Sequence, residues 1–174
     1  MTRFLLLDLQ LIRMGQIMKI RIRKSSDADS RSAKGELDKW KLKGATLQHK
    51  EDVRAGIRFL VHELIDKGIS HDWSKLSYLD EFWEEYSQHL SEEEFKNGKF
   101  YPIHVNKERH HLNSNCPEDV NLLDVLELIV DCIMAGKGRF GTCDMKYFEL
   151  PDYLLNKAYW NTVKLLDEAV EVME

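Results

Sequence analysis

The sequence is poor in residues that punctuate or staple a chain: three prolines, nine glycines and three cysteines among 174 residues. So little Gly and Pro argues against a turn-rich all-β fold. Cys116, Cys132 and Cys143 make an odd count with no CxxC pair. Neither a disulfide framework nor a structural zinc knuckle is expected, and a reducing cytoplasm is the plain setting. No apolar run approaches the roughly 18–20 residues of a membrane span. Phe4-Leu5-Leu6-Leu7 is cut at once by Asp8, so no export signal is expected. What is present is core material, 43% hydrophobic and 10% aromatic, too much for a disordered chain.

Positive charge is scarce outside the N-terminus. Residues 1–35 hold eight Lys/Arg and three Asp/Glu, a local charge of +5, whereas the rest holds 17 basic and 27 acidic residues, or −10. An acidic body lacks the basic stripe that phosphate backbones require, which speaks against nucleic acid as a partner. The basic segment reads as a solvated arm.

Residues 16–23, QIMKIRIR, alternate Ile20 and Ile22 with Lys19, Arg21 and Arg23, the period of a short half-buried strand. Residues 24–36 are polar and aperiodic and read as a linker. The division that follows is a basic N-terminal arm and linker over 1–36 and a single helical domain over 37–174. From Thr46 the pattern is helical: His49, Val53, Ile57, Leu60 and Leu64 make a stripe closed by Gly68. Further helices are predicted from a Ser77 cap, from Ser91 with Glu94 as a capping box, over 102–113, over 118–135 ended by Gly136 and Gly138, and over about 152–172. The expected fold is an all-α bundle of five to six helices.

Five of the seven histidines fall into an order with two aspartates: His49, His71-Asp72, His104, His110-His111 and Asp131. Imidazole and carboxylate together suit Zn, Mn, Fe and similar divalent ions. Each residue also has a plain structural reading, as a hydrogen-bonded boundary histidine, a polar turn or a solvated face. His104 and His111 are seven apart and share one helical face within about 20°, whereas His110 lies about 120° away, at the rim or beyond an interrupted helix. Asp131 is the one charged residue in LIVDCIMA, residues 128–135. A helix so apolar should be largely buried, and a buried carboxylate needs a cation or strong donors; the plainer alternative is a seam shared with Asp124 and Glu127. His62, roughly 140° around the helix from His49, and His89 read as surface residues.

The order H…HD…H…HH…D, with HDWSK at 71–75, resembles the HD-domain metal-dependent phosphohydrolase superfamily. HDWSK followed by H-x5-HH over 104–111 is similar, more narrowly, to an uncharacterised family of phage and bacterial proteins. The resemblance covers roughly residues 46–135. It implies an HD-like bundle in which His49, His71, Asp72 and Asp131 hold one metal and Asp72 bridges to a second, completed by His104, His110 and His111. Lys75 would contact a substrate phosphate or orient the attacking water. The implied cofactors are divalent ions, two of Mn, Fe, Ni or Zn, and the implied partner is a nucleotide or another small phosphate ester, hydrolysed by metal-activated water. Binuclear members of that superfamily include cyclic-dinucleotide phosphodiesterases marked by a GYP segment; it is absent here, and RFGTCD at 139–144 does not replace it. Arg109, Lys107 and Arg139 are further phosphate partners or plain surface charges. Two other readings stand beside the hydrolase: an HD-type di-iron oxygenase, whose ligands are of the same kinds, and a non-enzymatic helical binding protein with a structural metal site.

Overall fold

The computed structural model describes residues 19–23, 38–88, 90–112, 116–143 and 148–173, and these are mostly helical. The first 18 residues, the whole of the expected linker, and His89 lie outside the described residues. In chain order come β1 (Ile20–Arg23), α1 (Lys39–Ser70), α2 (Trp73–Ser77), α3 (Leu79–Tyr86), α4 (Glu92–Lys96), α5 (Phe100–Lys107), α6 (Leu122–Phe140), α7 (Asp152–Ala169) and β2 (Val170–Met173). Among the described residues no helix is long and apolar enough to cross a membrane. The chain divides into two compact units, one running to Phe59 and resuming at Asp167, the other Leu60–Leu166.

In the first unit the expected strand forms. β1 pairs in parallel with β2, Ile20 opposite Val170 and Ile22 opposite Val172. The last helix therefore ends at Ala169, short of the expected 172, because Val170 and Val172 are β-branched and have a strand to pair with. Arg21 lies 3.5 Å from Glu171 across the pair, and Gln48 of α1 donates to the Arg23 carbonyl at 2.6 Å. Val53 and Ile57 of the predicted stripe are exposed, whereas Phe59 is buried; apolar residues are spread around α1, so its periodicity marks more than one face.

In the second unit a core of Leu112, Val120, Val125, Leu128, Leu154 and Ala158 joins α6, α7 and the segment before α6. Asn161 of α7 donates to the Val120 carbonyl at 2.8 Å, and Thr162 Oγ1 accepts from Leu122 N at 2.8 Å. A second, aromatic cluster packs Phe82 against Phe100 at 4.6 Å between ring centres, with Phe95 beside both, and Phe100 in turn stacks on His104.

Several helix ends differ from the pattern-based expectation. α1 runs past Gly68 to Ser70, whose hydroxyl donates to the Asp66 carbonyl at 2.9 Å. Ser77 closes α2 and caps nothing; Asp72 precedes α2 instead. The Ser91–Glu94 capping box is present. α6 begins directly after Asn121, which forms a capping box with Asp124, and it ends at Phe140, followed by Gly141 with φ 72°. Gly136 and Gly138 therefore lie inside α6. A Cβ at Gly136 would stand 2.9 Å from the Thr142 carbonyl oxygen, so the glycine there serves close packing, not termination.

Candidate metal centre

The centre is built at two breaks in the helices of the second unit and along one face of α6. At the first break, α1 stops at Ser70 and Asp72 takes a left-handed backbone, φ 57°, the one positive φ at a non-glycine among the described residues. Aspartate tolerates that conformation better than most residues, yet it still costs on the order of 1 kcal/mol and persists only where surroundings enforce it. Lys75, one turn into α2, bonds its ammonium to Asp72 Oδ2. At the second break α5 ends at Lys107 and Glu108 turns extended, with φ −98° and ψ 117°. Buried Glu108 accepts from Ser74 N at 2.8 Å, which draws the chain out of the helix expected to continue to 113. This interruption lets His104, His110 and His111 face one another, which a regular helix would not allow.

The distances define the site. His71 Nε2 lies 3.6 Å from Asp72 Oδ2 and 3.5 Å from Asp131 Oδ1. His110 Nε2 lies 3.8 Å from Asp72 Oδ1 and 4.0 Å from Asp131 Oδ2. His104 Nε2 is 3.6 Å from Asp72 Oδ1 and 2.8 Å from His111 Nε2. The nitrogen–oxygen separations are too long for hydrogen bonds. They sit at or just beyond the roughly 3.0–3.6 Å edges made by ligands at about 2.1 Å from one ion. Two compact sets of donor atoms emerge, His104 with His110 and His111, and His71 with His110 and Glu127, so His110 belongs to both. Asp72 Oδ1 and both ring nitrogens of His110 are buried without a hydrogen-bond partner. Unpartnered buried polar atoms are costly, and a cation between them would remove the cost. The donor set therefore fits divalent ions of the Mn–Zn series.

Electrostatics favour neutral imidazoles on one side of the site. Burial, then the neighbouring His111 and Lys75, push the His104 pKa down to about 3. Burial and His110 lower that of His111 to about 4. At neutral pH both rings are uncharged, the form in which imidazole takes a metal. Burial opposes protonation of His71 as well, but Glu127, Asp72 and Asp131 outweigh it and raise its pKa. Burial likewise opposes ionisation of Asp72, and Lys75 with His71 overcomes it and holds the carboxyl below its ordinary value.

Of the residues singled out in the sequence, His71, Asp72, His104, His110, His111 and Asp131 come together, with Lys75 bound to Asp72. His49 is exposed on α1 within the first unit and belongs to neither donor set. A single helix also spans Lys39–Ser70, so no turn separates His49 from the segment leading to His71. Asp131 is 30% exposed, not fully buried, because Val130 and Met134 beside it face outward. The fully buried carboxylate is Asp124, bound by the Lys67 ammonium and by two Arg109 nitrogens at 2.9 Å each. Arg109 is thus a structural cation. His62 is exposed, as expected. Glu127 was missed as a site residue; its signal was the spacing Asp124, Glu127, Asp131, three and then four residues, which puts all three on one face of α6.

A model of a protein family matches residues 38–164, most of the chain. The chain belongs to the DUF5662 family. DUF5662 is described as a family of unknown function, and its match includes His49 and every residue of the centre while leaving out β1 and β2. No curated protein and no solved structure matches the chain.

Proposed function

We propose that this DUF5662 chain is a divalent-metal-dependent phosphohydrolase of HD-like type, acting on a nucleotide or another small phosphate ester. The observation that carries the reading is the convergence of four imidazoles and two aspartates around buried, unpartnered acceptor and ring-nitrogen atoms. Bound divalent ions would supply Lewis acidity and an activated water at neutral pH. Asp72, His71, His110 and Asp131 would hold one ion, and His104 with His111 would hold another beside Asp72 Oδ1.

The chain's own residues supply the rest. Lys75 neutralises Asp72 Oδ2, and its side chain is 32% exposed, so the ammonium is within reach of an incoming phosphate. The left-handed turn at Asp72 holds that carboxylate between His71, His104, His110 and Lys75. Ser74, fully buried, fixes the His104 ring through its hydroxyl at 2.8 Å.

The test is a screen of nucleotides and simple phosphate esters with protein loaded in turn with Mn, Fe, Ni and Zn. Phosphate release that falls at least about a hundredfold in Lys75→Ala, with metal content unchanged, supports the reading. Metal-loaded protein that releases no phosphate from any ester refutes it; oxygen consumption by the iron form would point to the oxygenase chemistry instead.

A further inference from the structure

Every imidazole offers two nitrogens, and which one can ligate depends on what holds the other. In three rings of the centre the division is the same. His71 turns Nε2 toward Asp72 and Asp131 and sets Nδ1 3.1 Å from Glu127 Oε1. His110 also turns Nε2 toward Asp72 and Asp131, and its Nδ1 lies 3.2 Å from the same Glu127 oxygen. His104 faces Asp72 with Nε2 and gives Nδ1 to Ser74 Oγ. Glu127 is therefore shared by two rings of two different chain segments, one at the α1–α2 break and one after α5.

We infer that Glu127 is a positioning residue for the metal centre: through one carboxylate oxygen it takes the Nδ1 side of both His71 and His110 and so presents Nε2 of both to the ion. The inference rests on the metal reading above and adds a residue to it. Glu127 has its own support. It is one turn from Asp131 on α6, and its second oxygen is 3.7 Å from Lys67 Nζ. Lys67 is itself bound to Asp124, which Arg109 grips with two nitrogens. The carboxylate is thus already answered by a cation, an arrangement that suits holding a histidine better than binding a metal directly. Its contact with His71 is a formed hydrogen bond. The one with His110 is close but off the line of a bond. Aromatic χ2 torsions are broad, and a small rotation of the ring aligns it.

The experiment reads tautomers in metal-free protein, by long-range proton–nitrogen NMR of ¹⁵N-histidine at about pH 8, with signals assigned through His71→Gln and His110→Gln. His71 and His110 should carry the proton on Nδ1. Glu127→Ala should move both toward the Nε2–H form, whereas Glu127→Gln, which still accepts at its carbonyl, should retain the native pattern. In a Zn titration Glu127→Ala should reach the wild-type stoichiometry with affinity lower by about 10–100-fold. Nε2–H tautomers in the wild type overturn the inference without any variant, so a misfolded mutant cannot shield it. Unchanged tautomers in a folded Glu127→Ala overturn it too. Loss of one equivalent that saturating Zn does not restore makes Glu127 a ligand and also overturns it. Wild-type protein that shows the Nδ1–H pattern yet binds no ion refutes the metal reading while supporting the Glu127 contact.

Discussion

The fully buried Asp124 offers the sharpest test of what holds the second unit together. Its carboxylate accepts from the Lys67 ammonium, from Arg109 Nε and Nη2 at 2.9 Å each, and from Asn121 N at 2.9 Å. Asp124→Ala removes all of these at once. Breaking a buried pair by deleting one partner costs about 3–5 kcal/mol when the orphan stays buried. Here the Arg109 side chain is 38% exposed and can turn to water, while Lys67 is 16% exposed and cannot do so as freely. The lower end, about 3 kcal/mol, is therefore appropriate, and the lost capping-box acceptor adds about 1 kcal/mol. The expected total is about 4 kcal/mol, or a Tm lower by roughly 8–16 °C for a chain of this size. Urea unfolding followed by far-ultraviolet circular dichroism measures it. The double variant Asp124→Leu/Arg109→Met should recover part of the loss, because it removes charge on both sides. A cost below about 1 kcal/mol for Asp124→Ala would refute the claim that this network organises α6 against the loop that carries His110.

Acid should destabilise the metal-free protein early. His104 and His111 titrate at about 3 and about 4 when folded, against an ordinary 6.5, so below pH 6.5 the unfolded chain binds protons that the folded one refuses. Tm in a chelator should fall steadily from pH 6.5 toward 4, a trend that His71, with its raised pKa, opposes in part; a flat or rising Tm over that window contradicts the burial of neutral rings. The two glycines inside α6 should respond with opposite signs. Gly138→Ala, with nothing within 4 Å of the added methyl, should stabilise by up to about 1 kcal/mol, whereas Gly136→Ala should destabilise because its Cβ meets the Thr142 carbonyl at 2.9 Å. Thermal melts of the two single variants decide this, and equal shifts would show that Gly136 is not a packing contact.

Much of this molecule could be read from its residues. Helical periodicity and the scarcity of glycine and proline pointed to an all-α fold, and the alternation of Ile20 and Ile22 marked the strand β1. Its partner was hidden because Val170-Glu171-Val172 continues a helical pattern, and only the presence of β1 converts it to a strand. The side-chain types of the candidate centre were legible because its histidines and two aspartates follow one order along the chain. Their grouping was less so, since it depends on two helix breaks. One is a left-handed turn at Asp72, and the other is a buried Glu108 that ends α5 to bond Ser74. Neither leaves a periodic signature. Asp131 drew attention as a lone charge in an apolar run, while the carboxylate that is fully buried is Asp124 at the polar start of the same helix.

The account turns on whether this cluster holds metal. Elemental mass spectrometry of the purified protein, beside His110→Ala and Asp131→Ala, tests that most directly. The arrangement predicts up to two equivalents of Mn, Fe, Ni or Zn in the native protein. Asp131→Ala and His110→Ala should each lower that content, since both side chains belong to the ligand set assigned to the first ion. Native protein with almost no metal, even after incubation with each of these ions, would contradict it.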